Sequence, residues 1–495
     1  MTEPIIPGFH PDPSICQVGE GFYLANSSFE YLPGVPIHRS DDLLRWTLIG
    51  NALTRSAQTP PNDGVKQSGI YAPTLRHHGS RFWLATTDVT QVMRGQMILV
   101  AERAEGPWSD PVFVAGAIGI DPDLVWDEDG VCHLSWKSFP DDAIMSVPID
   151  PVSGTMLEKP RLLWSGTGLA YPEGPHLYRV GEWWYLLVAE GGTERGHAIS
   201  VARSRSLYEP FDAGPANPIL SHRSTDHSVQ NTGHGDLIRL PDDSWAMVYL
   251  GVRARGVTPH FHVNGRETFL AGIDWVDGWP VVDVDRFPVS AANNSFIDDF
   301  ATALHARWVS PGNYPSSLAR LTPSGLELRS QPGRKSPAML LARAVDVNWS
   351  VDITLNVTEG VARLLLRIDD EHWYGLDIGG GAVEAVLAIG PAVTSVGRRD
   401  LDGPMHVTAR IRVSLPSGAD PLHGAMAPDL IELALVSSDG AVDSFGCFDG
   451  RYLSTEVAGG FTGRMWGIEV LHGSIIVKRV AYTGSASPDT VGIDM

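Results

Sequence analysis

Apolar residues along this chain alternate over short runs and seldom recur at the three-to-four spacing of a helix. FYLANSS from Phe22, FWLATT from Phe82, VCHLSW from Val131, WYLLVAE from Trp184 and SWAMVYL from Ser244 each read as one buried strand, bounded by the Gly, Pro, Asn and Asp clusters that turn a chain. Further on, VDITLNV sets Val351, Ile353, Leu355 and Val357 on one face, and VTARIRVSL does so with Val407, Ala409, Ile411, Val413 and Leu415. That period of two belongs to strands with one buried side. The chain is expected to be all-β.

The first group of strands repeats. DPSI at 12, APTL at 72, DPDL at 121, GPHL at 174 and HGDL at 234 recur at intervals of 60, 49, 53 and 60 residues, each followed about ten positions later by one of the strands above. Units of this length with several strands apiece mark a β-propeller, so residues 1–290 are expected to form five blades. VSAANNSFIDDF reads as a linker. The alternating strands of residues 296–495, with LLLRI, GLDIGG, IELALV and IIVKRV, predict a C-terminal β-sandwich.

The propeller reading gives the opening stretch GFHPDPS a purpose. First strands run beside the propeller axis, so the first residues of the five repeats form a ring at one end of the channel. The ring holds Asp12, Ala72, Asp121, Gly174 with Glu173 beside it, and His234. Pro11 and Pro13 fix the chain on both sides of Asp12. Gathering three carboxylates is costly, because like charges repel and burial disfavours the ionised form; such a cost marks a functional site. Glu173 stands one position ahead of the repeat register, so a bulge or its longer side chain has to bring it round. The grouping suits glycosidic hydrolysis, in which one carboxylic acid protonates the leaving oxygen and a carboxylate acts from the far side of the sugar. In inverting enzymes roughly 6.5 to 9.5 Å separates the two and admits a water. A third carboxylate helps to keep the acid protonated.

Charge narrows the partners. The chain has 37 Lys and Arg against 58 Asp and Glu, a net charge of −21, which disfavours nucleic acid and anionic membranes and favours a neutral ligand. Cys16, Cys132 and Cys447 are far apart, with no CxxC or Cys–His cluster, so neither a disulfide framework nor a zinc site is encoded. MTEPIIPGFH has no basic n-region or apolar h-region, and no run reaches the roughly 18 apolar residues of a membrane span. A cytoplasmic location is expected.

The motifs FHPDPSI, NSSFEYLPGVPIHRSDDL, SGIYAP, IDPDLVWDEDG, YPEGPHLY, EGGTERGHA, TGHGDL and GRETFL, in that order, resemble glycoside hydrolase family 43, in its two-domain branch of β-xylosidases and α-L-arabinofuranosidases. The resemblance implies Asp12 as general base, Asp121 as the residue that tunes and orients the acid, and Glu173 as general acid. It implies sugar contacts from Arg266 and Phe29, and from His234 beneath the sugar, where an axial water or a calcium ion is a candidate neighbour. The chemistry itself demands no cofactor. Trp136 is a further aromatic candidate for the sugar site. Tyr71 stands where relatives commonly have tryptophan, a smaller apolar face with an added hydroxyl, which bears on the choice between xylosyl and arabinofuranosyl groups. In that branch the second domain packs on the propeller and lends a loop to the site; Phe461 of VAGGFTG is the expected tip. The implied activity is inverting and exo-acting: release of single pentoses from xylo-oligosaccharides as a β-1,4-xylosidase, or from arabinosylated ones as an α-L-arabinofuranosidase. Relatives also form homo-oligomers. Rival readings are a non-catalytic carbohydrate-binding protein and an endo-acting arabinanase.

Overall fold

The computed structural model describes residues 3–485 apart from 257, 332, 334–336, 402–405 and 417–426; the outermost ends of the two expected domain spans therefore lie outside the described residues. Five antiparallel sheets follow one another along the chain, with innermost strands Ser14–Val18, Thr74–His78, Gly119–Trp126, Glu173–Val180 and Val229–Arg239. These are the five repeats. Successive sheets are wedged together by separate apolar clusters. Val35 and Ile37 meet Leu75 and Leu84, Trp83 and Ile98 meet Leu124 and Leu134, Ile144 meets Leu177 and Trp184, Tyr185 and Leu187 meet Leu237 and Met247, and Ile15 and Leu24 meet Val248 and Leu270. Since the last cluster joins blade 5 to blade 1, the ring is closed.

Main-chain pairing helps that closure. The amides of Ile5 and Ile6 donate to the Thr268 carbonyl, Thr268 donates back to Ile6, and the His10 amide donates to the Arg266 carbonyl. The N-terminal segment thereby extends a strand of the last blade, Glu267–Val276. Asn26 ties the same corner, donating to the His10 and Pro11 carbonyls and to the Thr268 hydroxyl.

Trp136 requires a correction. It is 2% exposed within the cluster between blades 2 and 3 and does not line the pocket that holds Asp12 and Glu173. A side chain of its size adds most by filling the wedge between two sheets, and that is where it packs.

Two residues after each ring position the chain is polar in all five blades: Ser14, Thr74, Asp123, His176 and Asp236. Arg76 reaches into this second layer from blade 2. Its guanidinium donates to Asp236 (2.8 Å), Asp123 (2.7 Å) and the Ser14 hydroxyl (3.1 Å), and lies 3.0 Å from the His176 ring nitrogen. The Ser14 and Tyr178 hydroxyls also donate to Asp236. Both aspartates are completely buried, and the arginine holds their carboxyls below the ordinary range against the opposing effect of burial.

The C-terminal part is a twelve-stranded sheet, among the described residues, folded over into a nearly closed sandwich. Two long strands, Asn348–Arg367 and Met465–Ser485, pair antiparallel along their lengths. Three register shifts bend the pair, as bulges do. Every residue of the alternating sets from Val351 to Val357 and from Val407 to Val413 is buried. The sandwich meets the propeller through pairing of Tyr31–Leu32 with Ser310–Pro311, through Lys66, which donates to Asp369 and the Ala458 carbonyl, and through His262, whose amide and ring contact Glu456. Among the described residues no helix is long and apolar enough to cross a membrane.

Arg76→Met removes the cation and leaves Asp123 and Asp236 buried without it. The expected loss is about 3 to 5 kcal/mol of stability, read as a lower denaturant midpoint; an unchanged midpoint would show that the axial network does not hold the blades.

Candidate active site

The ring positions share an unusual backbone. Asp12, Asp121, Gly174 and His234 all have left-handed φ values, 52°, 56°, 57° and 46°. This conformation is uncommon outside glycine and persists where surrounding structure fixes it. On blades 3, 4 and 5 the inner strand carries a bulge at this point: the pairing register slips by one residue between Ile120 and Asp123, between Glu173 and His176, and between Gly233 and Asp236. Glu173 stays one place ahead of the repeat and still lines the pocket of Asp12 and Asp121, as does its blade-3 counterpart Ile120, so the residue before the left-handed position also faces the site. Gly174 is small for a second reason, because a Cβ there would stand 2.9 Å from the His234 ring.

The pocket has a volume of about 420 Å³ and is lined by Asp12, Asp121, Glu173, His234 and Arg266, with Phe29, Tyr71, Tyr171 and Phe461 as its aromatic walls. Asp12 accepts from the Ser27 hydroxyl at 2.5 Å and from Arg266 at 3.2 Å, and the His234 ring nitrogen lies 3.8 Å away. Burial alone would lift its carboxyl, but Arg266, His234 and Ser27 outweigh burial and hold it below the ordinary aspartate value. Glu173 is shifted the opposite way, to about 7, by burial and by the charge of Asp12. Asp121 accepts from the Gly174 amide at 3.1 Å and is raised well above its ordinary value by burial and by its neighbours Glu173 and Asp12. The result is one carboxylate kept ionised beside two carboxyls that resist ionisation. Burial also lowers His234 to about 4 and His197 to about 3, so both rings are neutral near pH 7.

One wall comes from the sandwich. Phe461 lies 5.4 Å from Phe29 and 5.9 Å from Tyr71, ring centre to ring centre, and Phe29 and Tyr71 lie 5.0 Å apart. Its loop docks where Gly463 passes the Asn264 carbonyl; a Cβ at 463 would fall 2.3 Å from that oxygen. Arg266 joins the two halves. Besides Asp12 it donates to the Thr193 hydroxyl at 3.0 Å and to the Phe461 carbonyl at 3.4 Å. The Tyr71 hydroxyl donates to the Gln67 carbonyl at 2.8 Å, so the hydroxyl that a tryptophan would lack is already engaged by main chain.

Apart from Trp136, every residue expected at the site lines this pocket. Tyr171, Thr193 and Glu194 also line it, and His197 packs beneath, its ring 2.1 Å from where a Gly233 Cβ would stand. None of these lies in repeat register. The only signal for the last three was their place in EGGTERGHA, a motif with no equivalent in the other blades.

Calcium takes six to eight oxygen ligands; of the carboxylates on the axis, Asp123 and Asp236 are bound to the Arg76 guanidinium. Among the described residues no three His, Cys, Asp or Glu side chains are grouped to hold a metal.

Comparison with known proteins agrees with this geometry. The model of glycosyl hydrolases family 43 matches residues 1–280. A non-reducing end α-L-arabinofuranosidase of Bacteroides ovatus, BoGH43B, is 34% identical over 94% of this chain and 90% of its own. A xylosidase/arabinosidase of Butyrivibrio fibrisolvens is 42% identical, over 57% of this chain and 56% of its own. Among solved structures, GH43B of the Bacteroides ovatus xyloglucan locus aligns with a TM-score of 0.86 at 31% identity, over 98% of this chain and all of its own. A xylan β-1,4-xylosidase of Bacillus halodurans aligns at 0.83 and 26% identity with the same coverage. A five-bladed funnel of three carboxylates, walled by a second sheet and matched by the family model over residues 1–280 and by a relative over 94% of the chain, places this chain in glycosyl hydrolases family 43, as a glycoside hydrolase.

Proposed function

We propose that the enzyme is an inverting exo-glycosidase that removes terminal pentoses from xylo-oligosaccharides, foremost as a β-1,4-xylosidase. The observation that carries this reading is the division of protonation within one pocket: Asp12 held ionised, Glu173 held protonated up to about pH 7. Glu173 gives its proton to the glycosidic oxygen. Asp12 takes a proton from the water that attacks the anomeric carbon, and its charge favours the protonated form of Glu173, while Asp121 fixes the Gly174 amide beside the acid. Asp12 and Glu173 come from blades 1 and 4, which are not adjacent; a separation across the axis supports inversion, since it leaves room for the water. The Phe461 wall closes one side of the pocket and favours a chain end over the middle of a polymer.

A second reading, α-L-arabinofuranosidase, is favoured by the activity for which the Bacteroides ovatus relative BoGH43B is named and by Tyr71, which alters the wall where the pentose would lie. Initial rates on the 4-nitrophenyl β-xyloside and α-L-arabinofuranoside separate the two.

Four outcomes are expected. Proton NMR of xylotriose cleavage shows α-xylose first, with no internal fragments; β-xylose as the first product would contradict inversion. Asp12→Ala and Glu173→Gln each lower kcat by about 10² to 10⁴-fold with the fold intact, and near-normal turnover in either would refute its role. In the wild type kcat/KM falls as pH rises through about 7, where Glu173 ionises, and falls again in acid as Asp12 is protonated. Arg266→Met removes the cation that favours ionised Asp12, so the acidic limb moves to higher pH; a higher KM with an unmoved limb would limit Arg266 to sugar binding.

A further inference from the structure

A second cavity, of about 810 Å³, lies between blade 1, the linker and the sandwich, and shares no lining residue with the pocket just described. Its charge runs against that of the whole protein. On a chain of net charge −21, the wall carries three cations, Arg45, Arg307 and Arg343, against one carboxylate, Asp42; His10, His38 and His305 also line it, and burial lowers all three toward the neutral ring. Asp42 is already engaged by the Arg45 side chain and by the amides of Leu44 and Arg45.

Arg343 is the unusual member. It is 7% exposed, its Nε donates to the Phe9 carbonyl at 2.7 Å, and its Nη2 is buried without a hydrogen-bond partner. It forms no ion pair with any described residue. Burial pulls the guanidinium down to about 10, the direction expected of a cation without a counter-charge. His38 stands beside it, 5% exposed, with Nδ1 also buried and unpartnered, and the His10 ring meets His38 edge-on at 5.0 Å. Arg343 and His38 both line the cavity, and native proteins pair buried polar groups almost without exception, so a buried guanidinium with no counter-charge beside this space points to an acceptor that belongs in it. A planar guanidinium matches the two oxygens of a carboxylate or phosphate, and the volume leaves room for a sugar-sized remainder.

We propose that this cavity is a binding site for a small oxyanion, the carboxylate or phosphate group of a sugar-sized molecule, held by Arg343 with His38 beside it. The site is distinct from the Asp12–Glu173 pocket and does not depend on how that pocket is read.

Calorimetric titration of the full-length protein at fixed ionic strength, with sodium phosphate, sodium glucuronate and neutral xylose, tests the proposal. At least one of the two anions is expected to bind saturably and raise the thermal midpoint, with xylose doing neither at this site. Tighter binding of glucuronate identifies a sugar acid, and tighter binding of phosphate identifies a phosphate ester. Arg343→Met is expected to weaken the anion about tenfold or more and to abolish the anion-dependent rise in the midpoint. His38→Phe is expected to weaken binding as well, and carries the test should Arg343→Met fail to fold. Absence of binding by both anions, or equal binding by wild type and variants, would overturn the site and leave Arg343 as a support for the Phe9 ring, which lies 5.1 Å from it.

Discussion

Three carboxyl groups face one small funnel, and their mutual repulsion is the constraint that the remaining architecture has to meet. Asp12, Asp121 and Glu173 cannot all be ionised there at moderate cost. The protein resolves this unequally. Arg266, donated from the last blade, stands against Asp12 and lets that group alone keep its charge, while the other two hold protons. A layer lower, Arg76 bridges Asp123 and Asp236 and offsets one of their two charges, which weakens their negative field at the site above. Two arginines thus separate a structural axis from a reactive mouth.

Backbone geometry delivers the charges to the mouth. Left-handed residues at the starts of the inner strands, followed on three blades by bulges, turn side chains toward the axis that a regular strand would point between the sheets. Such conformations require support, and the closure of blade 5 by the N-terminal segment supplies it next to Asp12. The sandwich then completes the pocket with Phe461, whose loop is seated against Gly265 at Thr462 and Gly463 and whose carbonyl accepts from Arg266.

Much of this was legible in the sequence, for a physical reason. Asp12, Asp121 and His234 sit in repeat register, and a repeat places equivalent residues at equivalent points of a ring; Glu173 stands one place ahead, at a position whose blade-3 counterpart, Ile120, lines the same pocket. The alternating strands of the sandwich were legible because one buried face imposes a period of two. Trp136 was misread because interblade packing and sugar stacking call for the same side chain. Arg76 went unread although its surroundings were visible: the residue two places after each ring position is polar in all five blades, a pattern that signals a buried polar layer. Tyr171, Thr193 and Glu194 came from loops outside the repeat, where spacing carries no information about position.

The most direct test of the account is the protonation of the three carboxyls themselves, followed by carbon-13 NMR of the protein labelled at its Asp and Glu carboxyls, with single substitutions to assign the signals. The account predicts a Glu173 signal that titrates near pH 7 while Asp12 stays ionised throughout the neutral and mildly acidic range. A Glu173 that ionises near the ordinary glutamate value of about 4.3, leaving all three groups charged together at pH 6, would contradict it.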